Sequence, residues 1–153
     1  MPITLRNATL DDLGALISMQ EDLAAEGAIW GYGPDTEEEW KSRNLDWVIV
    51  AVEERRPVGF VFCDQRPYDG ECVFPETSRI LEIVELYVRP DFRHTGIGRE
   101  LMDIAQSRAR DDGFTHLRLY SASKQFDDIV RFYRACGFSP WYLEMIKPIQ
   151  QGP

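Results

Sequence analysis

One stretch, residues 80–110 (ILEIVELYVRPDFRHTGIGRELMDIAQSRAR), limits what this chain can fold into more than any other. Ile80, Leu81, Ile83, Val84, Leu86, Tyr87 and Val88 make the near-continuous apolar run of a strand covered on both faces. Pro90 ends it, having no N–H to give a ladder. Beyond Arg93, His94, Thr95, Gly96, Ile97 and Gly98, the apolar positions Leu101, Met102, Ile104, Ala105 and Ala109 fall on helical spacing. A strand that feeds a glycine loop into a helix start gathers free backbone N–H groups and the positive end of a helix dipole. Such a place receives an anion such as pyrophosphate. Two nucleotide signatures fail here: Leu101 occupies the position of the third Rossmann glycine, and no G-K-[ST] follows.

Around this stretch the pattern alternates between the two periods. Residues 3–6 (ITLR) read as a short strand. Thr9 caps a helix with Asp12 at its third position, and Leu13, Leu16, Ile17, Gln20 and Leu23 carry that helix to Gly27. A second helix, capped at residues 35–39 (DTEEE), ends near Asn44. Residues 47–53 (WVIVAVE) and 58–63 (VGFVFC) form a hairpin about the turn at residues 54–57. A polar loop over residues 64–78 precedes the organising strand. After it come a helix stopped at Gly113, a strand at residues 115–120, a helix at residues 126–136 closed by Gly137, and a last strand at residues 141–147 (WYLEMIK). The order is β-α-α-β-β-β-α-β-α-β.

Composition narrows the function classes. The 153 residues suit one domain over 1–153, with an apolar share of 44%. A net charge of −9, from 26 acidic and 17 basic residues, argues against a nucleic-acid partner and leans toward a cationic one such as an amine. No apolar run reaches membrane-spanning length, so no membrane partner is expected. The N-terminus lacks the features of an export signal. Cys63, Cys72 and Cys136 are odd in number and read as reduced thiols, which points to a cytoplasmic protein. Two histidines, His94 and His116, are too few for a histidine-built metal site, and no metal is expected.

Arg93-x-x-Gly96-x-Gly98, preceded by ELYVRPDF and followed by a helix, resembles the acetyl-CoA motif [QR]-x-x-G-x-[GA] of the GCN5-related N-acetyltransferases, the GNAT superfamily. DDIVRFYRACGF resembles that family's A-x-x-[FL]-Y-x-x-x-G-F helix end. The resemblance implies an α/β fold, the acyl-CoA N-acyltransferase fold, with a mixed central sheet in the order above and helices on both faces. It implies acetyl transfer from acetyl-CoA to a primary amine by direct attack within a ternary complex. The amides of Arg93, His94, Thr95, Gly96, Ile97 and Gly98 would hold the coenzyme pyrophosphate, with Arg93 and Arg99 either adding phosphate contacts or standing as surface charges. Leu86, Tyr87 and Val88 would pair with the pantetheine arm, the Val88 amide facing the thioester oxygen. Homodimers are frequent in the family, so a homodimer is a further expectation.

The same resemblance makes Tyr133 the proton donor to the leaving thiolate; the other reading is a core tyrosine with its hydroxyl at the surface. The base is open between Glu82 and Glu85, both on the organising strand, where a carboxylate among apolar neighbours titrates high. Strict alternation places Glu82 on the face of Val88 and Glu85 on the other; a bulge would break that parity. Phe126 and Ile129 depart from the family's usual Asn and Ala. Acceptor specificity is expected from the first two helices and residues 64–78. Trp30, Tyr32, Tyr68 and Phe74 offer aromatic surface there, and Asp64, Asp69, Glu71 and Glu76 offer charge. The acceptor is a small-molecule amine or a peptide end. A non-catalytic acyl-CoA-sensing module is the rival from another class. Cys136 is read as a packed thiol rather than a nucleophile.

Overall fold

The computed structural model describes residues 2–70, 74–141 and 143–149. Five strands form one mixed sheet in sequence order: β1 Thr4–Asn7, β2 Val48–Glu53, β3 Arg56–Arg66, β4 Ile80–Val88 and β5 His116–Leu119. The first three neighbouring pairs are antiparallel and β4 pairs β5 in parallel. Four helices cover it: α1 Leu13–Glu26, α2 Glu37–Lys41, α3 Ile97–Asp111 and α4 Phe126–Ala135. A parallel pair needs a crossover, and α3 supplies it.

The sheet is buried on both faces, as the apolar runs of β2 and β4 demand. On one face α1 and α2 pack Leu16, Met19 and Trp40 against Val48, Val50, Phe60, Phe62 and Tyr87. On the other, α3 packs Ile97, Leu101, Met102 and Ala105 against Ile49, Val61, Leu81 and Ile83. Trp40 is fully buried and meets Phe60 edge-on at 6.1 Å between ring centres. The local signals hold at the helix starts. Thr36 and Glu39 form a reciprocal capping box, Thr36 N–H donating to Glu39 Oε2 at 2.7 Å and Glu39 N–H to Thr36 Oγ1 at 3.2 Å. Asp12 accepts from Thr9 N–H at 2.8 Å and takes both fork nitrogens of Arg6 at 2.7 and 2.8 Å. The chain first makes a tight turn at Leu10–Asp12, and α1 proper begins at Leu13.

Two features of β4 position everything that follows. Its ladder with β3 runs to the pair Gly59↔Val88, but its ladder with β5 stops at Ile83↔Leu119. The strands therefore part after Ile83, leaving Val84 to Val88 with a neighbour on the β3 side alone. The pairing with β3 also slips: Ile83 faces Cys63 and Glu85 faces Phe62, so Val84 is the extra residue of a bulge. This corrects the parity expected from strict alternation. Glu82, opposite Asp64, and Glu85, opposite Phe62, share the α1/α2 face, while Leu86 and Val88 pack on the α3 face.

The expected last strand does not form. Among the described residues of 141–147 there is no strand, so the sheet has five strands where the sequence pattern gives six. An alternating pattern becomes a strand only with an edge to pair with. Here Trp141 stacks on Phe74 and His116 with ring centres 5.2 and 5.9 Å apart, and Leu143, Met145 and Ile146 are exposed. Pro140 and Pro148 bracket the segment and remove N–H donors at both ends. Glu71, Cys72 and Tyr142 lie outside the described residues.

Candidate active site

The loop after β4 is built from backbone. Pro90–Phe92 makes one tight turn, Thr95 Oγ1 donates to Phe92 O at 2.6 Å, and His94 and Gly96 both take left-handed conformations, φ 61° and 96°. Gly96 then caps α3, so the N–H groups of Ile97, Gly98 and Arg99 lie in the first turn, where no helical partner exists. Ile97 is buried against the sheet and fixes how α3 leaves the loop. An L side chain at residue 96 would be strained whatever room surrounds it. Gly98 sits under Phe132 of α4, a Cβ there falling 3.4 Å from the ring.

The Arg93 side chain folds back over β4 and α1 while staying partly exposed. Its Nε donates to Val88 O at 2.8 Å and its Nη2 to Glu26 Oε1 at 2.7 Å. Tyr87 Oη donates to the same carboxylate at 3.1 Å, and Arg89 pairs with Asp22. Three side chains from the end of β4 thus clamp the last turns of α1, and they fix where the loop begins. Arg99 is exposed, 3.7 Å from Asp103.

Glu85 and Glu82 share a face but meet different chemistry. Glu82 pairs with Arg66 and Arg118, each at 3.3 Å, and is matched by charge. Arg118 also lies over the rings of Phe74 and Tyr120 at 5.9 and 5.4 Å. Glu85 has neutral donors instead. Tyr32 Oη donates to its Oε1 and Gln20 Nε2 to its Oε2 at 2.9 Å. Burial is the main cause that lifts the Glu85 carboxyl above the ordinary carboxylate range, and nearby Asp35 adds to it; the two donors and Arg43 oppose without cancelling. Burial and the neighbouring carboxylates raise the Tyr32 phenol as well, so it carries its proton.

On the opposite face, Tyr133 of α4 packs beside Phe132 and Phe138 at 5.1 and 5.6 Å between ring centres. Burial pushes its hydroxyl up to about 12. It is therefore a proton carrier at neutral pH. Burial likewise raises the thiols of Cys63, to about 12, and Cys136, so neither is a ready thiolate. Tyr32 belongs to a loop tied across the molecule: Trp30 N–H donates to Ala122 O at 3.0 Å, Lys124 N–H to Ala28 O at 2.8 Å, and Ile29 bridges Ser123. Lys124 Nζ lies 4.4 Å over the Trp30 ring. This seam joins the α1–α2 loop to the β5–α4 loop, just beyond where β4 and β5 part.

Residues 16–138 match the Acetyltransferase (GNAT) family. The chain belongs to that family. An uncharacterized N-acetyltransferase of Methanocaldococcus jannaschii is 28% identical over 95% of this chain and 67% of its own length. An amino-acid acetyltransferase of Ectopseudomonas mendocina is 26% identical over 92% of this chain, which spans 28% of that relative. Among solved structures, a transcriptional regulator from Bacillus halodurans superposes with a TM-score of 0.74, at 24% identity over 97% of this chain and 100% of that one. AAC(6')-Iy, in complex with the bisubstrate analogue CoA-S-monomethyl-acetylneamine, gives 0.75 at 16% identity over 99% and 100%. These likenesses show the GNAT fold and its α/β layers.

Sequence reasoning placed Glu85 and Tyr32 but did not join them, and it missed Gln20 and Asp35. The available signal was Gln20 itself, an amide standing in the apolar stripe of α1 and 1% exposed. Among the described residues no group of three or more His, Cys, Asp or Glu is arranged to hold a metal, and no helix is long and apolar enough to cross a membrane.

Proposed function

We propose that this chain transfers an acetyl group from acetyl-CoA to the primary amine of a small molecule by direct attack, with Glu85 as general base and Tyr133 as general acid. The observation that carries this reading is Glu85: a half-buried carboxylate with neutral donors, within the stretch of β4 that has no partner on its β5 side. Glu82 is matched by two arginines, whereas Glu85 meets neutral donors and burial lifts its carboxyl above the ordinary range.

The co-substrate brings an activated acetyl group as a thioester. Residues 93–98 and the first turn of α3 fit its pyrophosphate, because their amides and the helix dipole are offered together at a glycine that no L side chain replaces freely. Val84 to Tyr87, without a β5 neighbour, offer the backbone of that side for the pantetheine amides, while Val88 O is taken by Arg93. Glu85 takes a proton from the acceptor ammonium, since a lysine-like amine with pKa of about 10.4 arrives protonated. The freed amine then forms the N–C bond as the C–S bond breaks. Tyr133 gives its hydroxyl proton to the departing sulfur, and the second proton shed by the nitrogen restores the phenol through solvent. Base and acid stand on opposite faces of the sheet.

The seam from residues 28–30 to residues 122–124 ties the loop that carries Tyr32 to the β5–α4 loop, and this supports a small acceptor over a long peptide. Thiol release from acetyl-CoA against neamine, spermidine, lysine and peptides with free N-termini tests the reading. Turnover is expected with one of the small amines, and Tyr133→Phe should lower kcat by about 10- to 100-fold. Turnover confined to peptides would replace the acceptor class. Tight acetyl-CoA binding without turnover on any amine would replace the enzyme by a sensing module.

A further inference from the structure

Gln20 is a buried amide whose every hydrogen-bonding atom is engaged, and the identity of its partners fixes which way round it sits. Its Oε1 accepts from the Asp35 backbone N–H at 3.0 Å and from the Trp40 indole N–H at 3.0 Å. Both of those groups are donors only, so the amide cannot present its nitrogen to them. The Nε2 end is therefore held toward two carboxylates, donating to Asp35 Oδ2 at 2.6 Å and to Glu85 Oε2 at 2.9 Å. A flip would face N–H against N–H on one side and oxygen against carboxylate on the other. Four contacts forbid it.

The two oxygens of Glu85 are consequently unequal. Oε2 faces an amide nitrogen that can donate and can never accept. Oε1 faces the Tyr32 hydroxyl, which can do either by rotating its hydrogen. On Oε2 one lone pair is taken by Nε2–H, so a proton there would occupy the other, toward which no acceptor is seen among the described residues. A proton placed on Oε1 finds an acceptor as soon as the Tyr32 O–H turns away. Each carboxylate oxygen keeps a second lone pair, so an incoming ammonium still has a place to bind.

We propose that Gln20 is the positioning residue of this site: its carboxamide, locked by Asp35 and Trp40, confines the proton that Glu85 accepts to Oε1, where Tyr32 reverses from donor to acceptor. The inference rests on the reading of Glu85 as base and adds the route of its proton. The proton passes from the acceptor nitrogen to Oε1. The Oε1–H then donates to the Tyr32 oxygen while the Tyr32 hydrogen turns outward, and no bond other than O–H and N–H changes. The charged and titratable groups around Glu85 are Tyr32 and Asp35 from the α1–α2 loop and Arg43, which pairs with Asp35 at 2.7 Å from beyond α2. Along β4 on the same face are Glu82, held by Arg66 and Arg118, and Tyr87, which donates to Glu26.

The test reads Glu85 directly and needs no acceptor. The full chain is labelled with 13C at glutamate side-chain carboxyls and titrated by NMR, the Glu85 signal being assigned by its loss in Glu85→Gln. Gln20 side-chain 15N–H2 protons are followed in the same titration. The wild-type Glu85 midpoint should lie above the ordinary carboxylate value of about 4.3. The Gln20 amide protons should be slow to exchange and should shift with that same midpoint. Tyr32→Phe, which leaves the Gln20 lock whole, should raise the midpoint by about one pH unit, because the charge-assisted bond lost to the ionised form outweighs the neutral one lost to the protonated form. Gln20→Met should raise it at least as much. Should Gln20→Met fail to fold, Tyr32→Phe and the amide readout decide alone. A Glu85 midpoint unmoved in Tyr32→Phe, or Gln20 amide signals that ignore the titration, would overturn the proposal. A normal titration in a chain that transfers no acetyl group would leave the positioning intact and remove the base assignment, so the two failures are distinct.

Discussion

The loop of residues 93–98 and the carboxylate network under Tyr32 flank the same strand, yet they are made of different material. The loop offers backbone: two left-handed residues, a capping glycine and the first turn of α3. Its side chains are turned to structural tasks, Arg93 holding Val88 O and Glu26, and Thr95 holding Phe92 O. The network is the reverse. It is made of side chains from α1, the α1–α2 loop, α2 and β4, and its backbone contributes one N–H. A part that binds through backbone tolerates side-chain change and is sensitive to conformation. One that works through side chains is sensitive to a single atom.

That contrast can be broken most sharply at the carboxylates. Glu85→Gln keeps the shape and both hydrogen-bonding ends but cannot take a proton. It should lower kcat by about 10²- to 10⁴-fold with acetyl-CoA affinity unchanged. Glu82→Gln, whose parent is matched by two arginines, should lose far less; equal losses would erase the distinction between them. Next comes the loop. Gly96→Ala places a Cβ at φ 96°, a strain of roughly 1–2 kcal/mol. It should raise the Kd for acetyl-CoA about tenfold, read by calorimetry, with no movement of the Glu85 titration.

The smallest effect separates stability from both regions. Arg6 holds Asp12 below the usual carboxylate range, with the Thr9 N–H helping against burial. Because the native value is depressed, that stabilisation is present above the unfolded carboxylate value of about 3.9 and fades as pH falls through the native one. Asp12→Asn should cost about 2 kcal/mol at pH 7 in urea unfolding, with the difference from wild type closing toward acid. Turnover per folded molecule should not change.

The same contrast explains what was legible. The loop could be read from sequence because glycine spacing, Pro90 and the helical stripe of α3 are local, and backbone conformation follows local residues. Tyr133 was named from the resemblance of its helix end to the family's, and the structure places it in α4 beside Phe132 and Phe138. The two faces of the sheet were also legible, since apolar runs at β2 and β4 admit no other burial. The network was not, because its contacts span 15 to 65 residues and periodicity carries no information on which stripe faces which strand. Gln20 stood in plain view among Leu13, Leu16, Ile17 and Leu23, and was counted with them as one more position on the buried face. A bulge in this strand was named as what would break strict alternation, but its place at Val84 was illegible, because an extra residue in one strand is defined by its partner, β3. It alone decides that Glu82 and Glu85 share a face. Residues 141–147 show the opposite error, a strand pattern that the described residues do not complete, Trp141 packing its ring on Phe74 and His116 instead.

The measurement that bears most directly on the account is the pH dependence of kcat/KM for acetyl transfer, in wild type and in Glu85→Gln, with the best amine of the panel. The account predicts an acid limb in the wild type, with its midpoint above the ordinary carboxylate range and matching the NMR titration of Glu85. In Glu85→Gln that limb should vanish and the residual rate should rise steadily with pH, as free amine becomes available. A limb that survives in Glu85→Gln at the same midpoint would place the base elsewhere, and the network under Tyr32 would then be architecture alone.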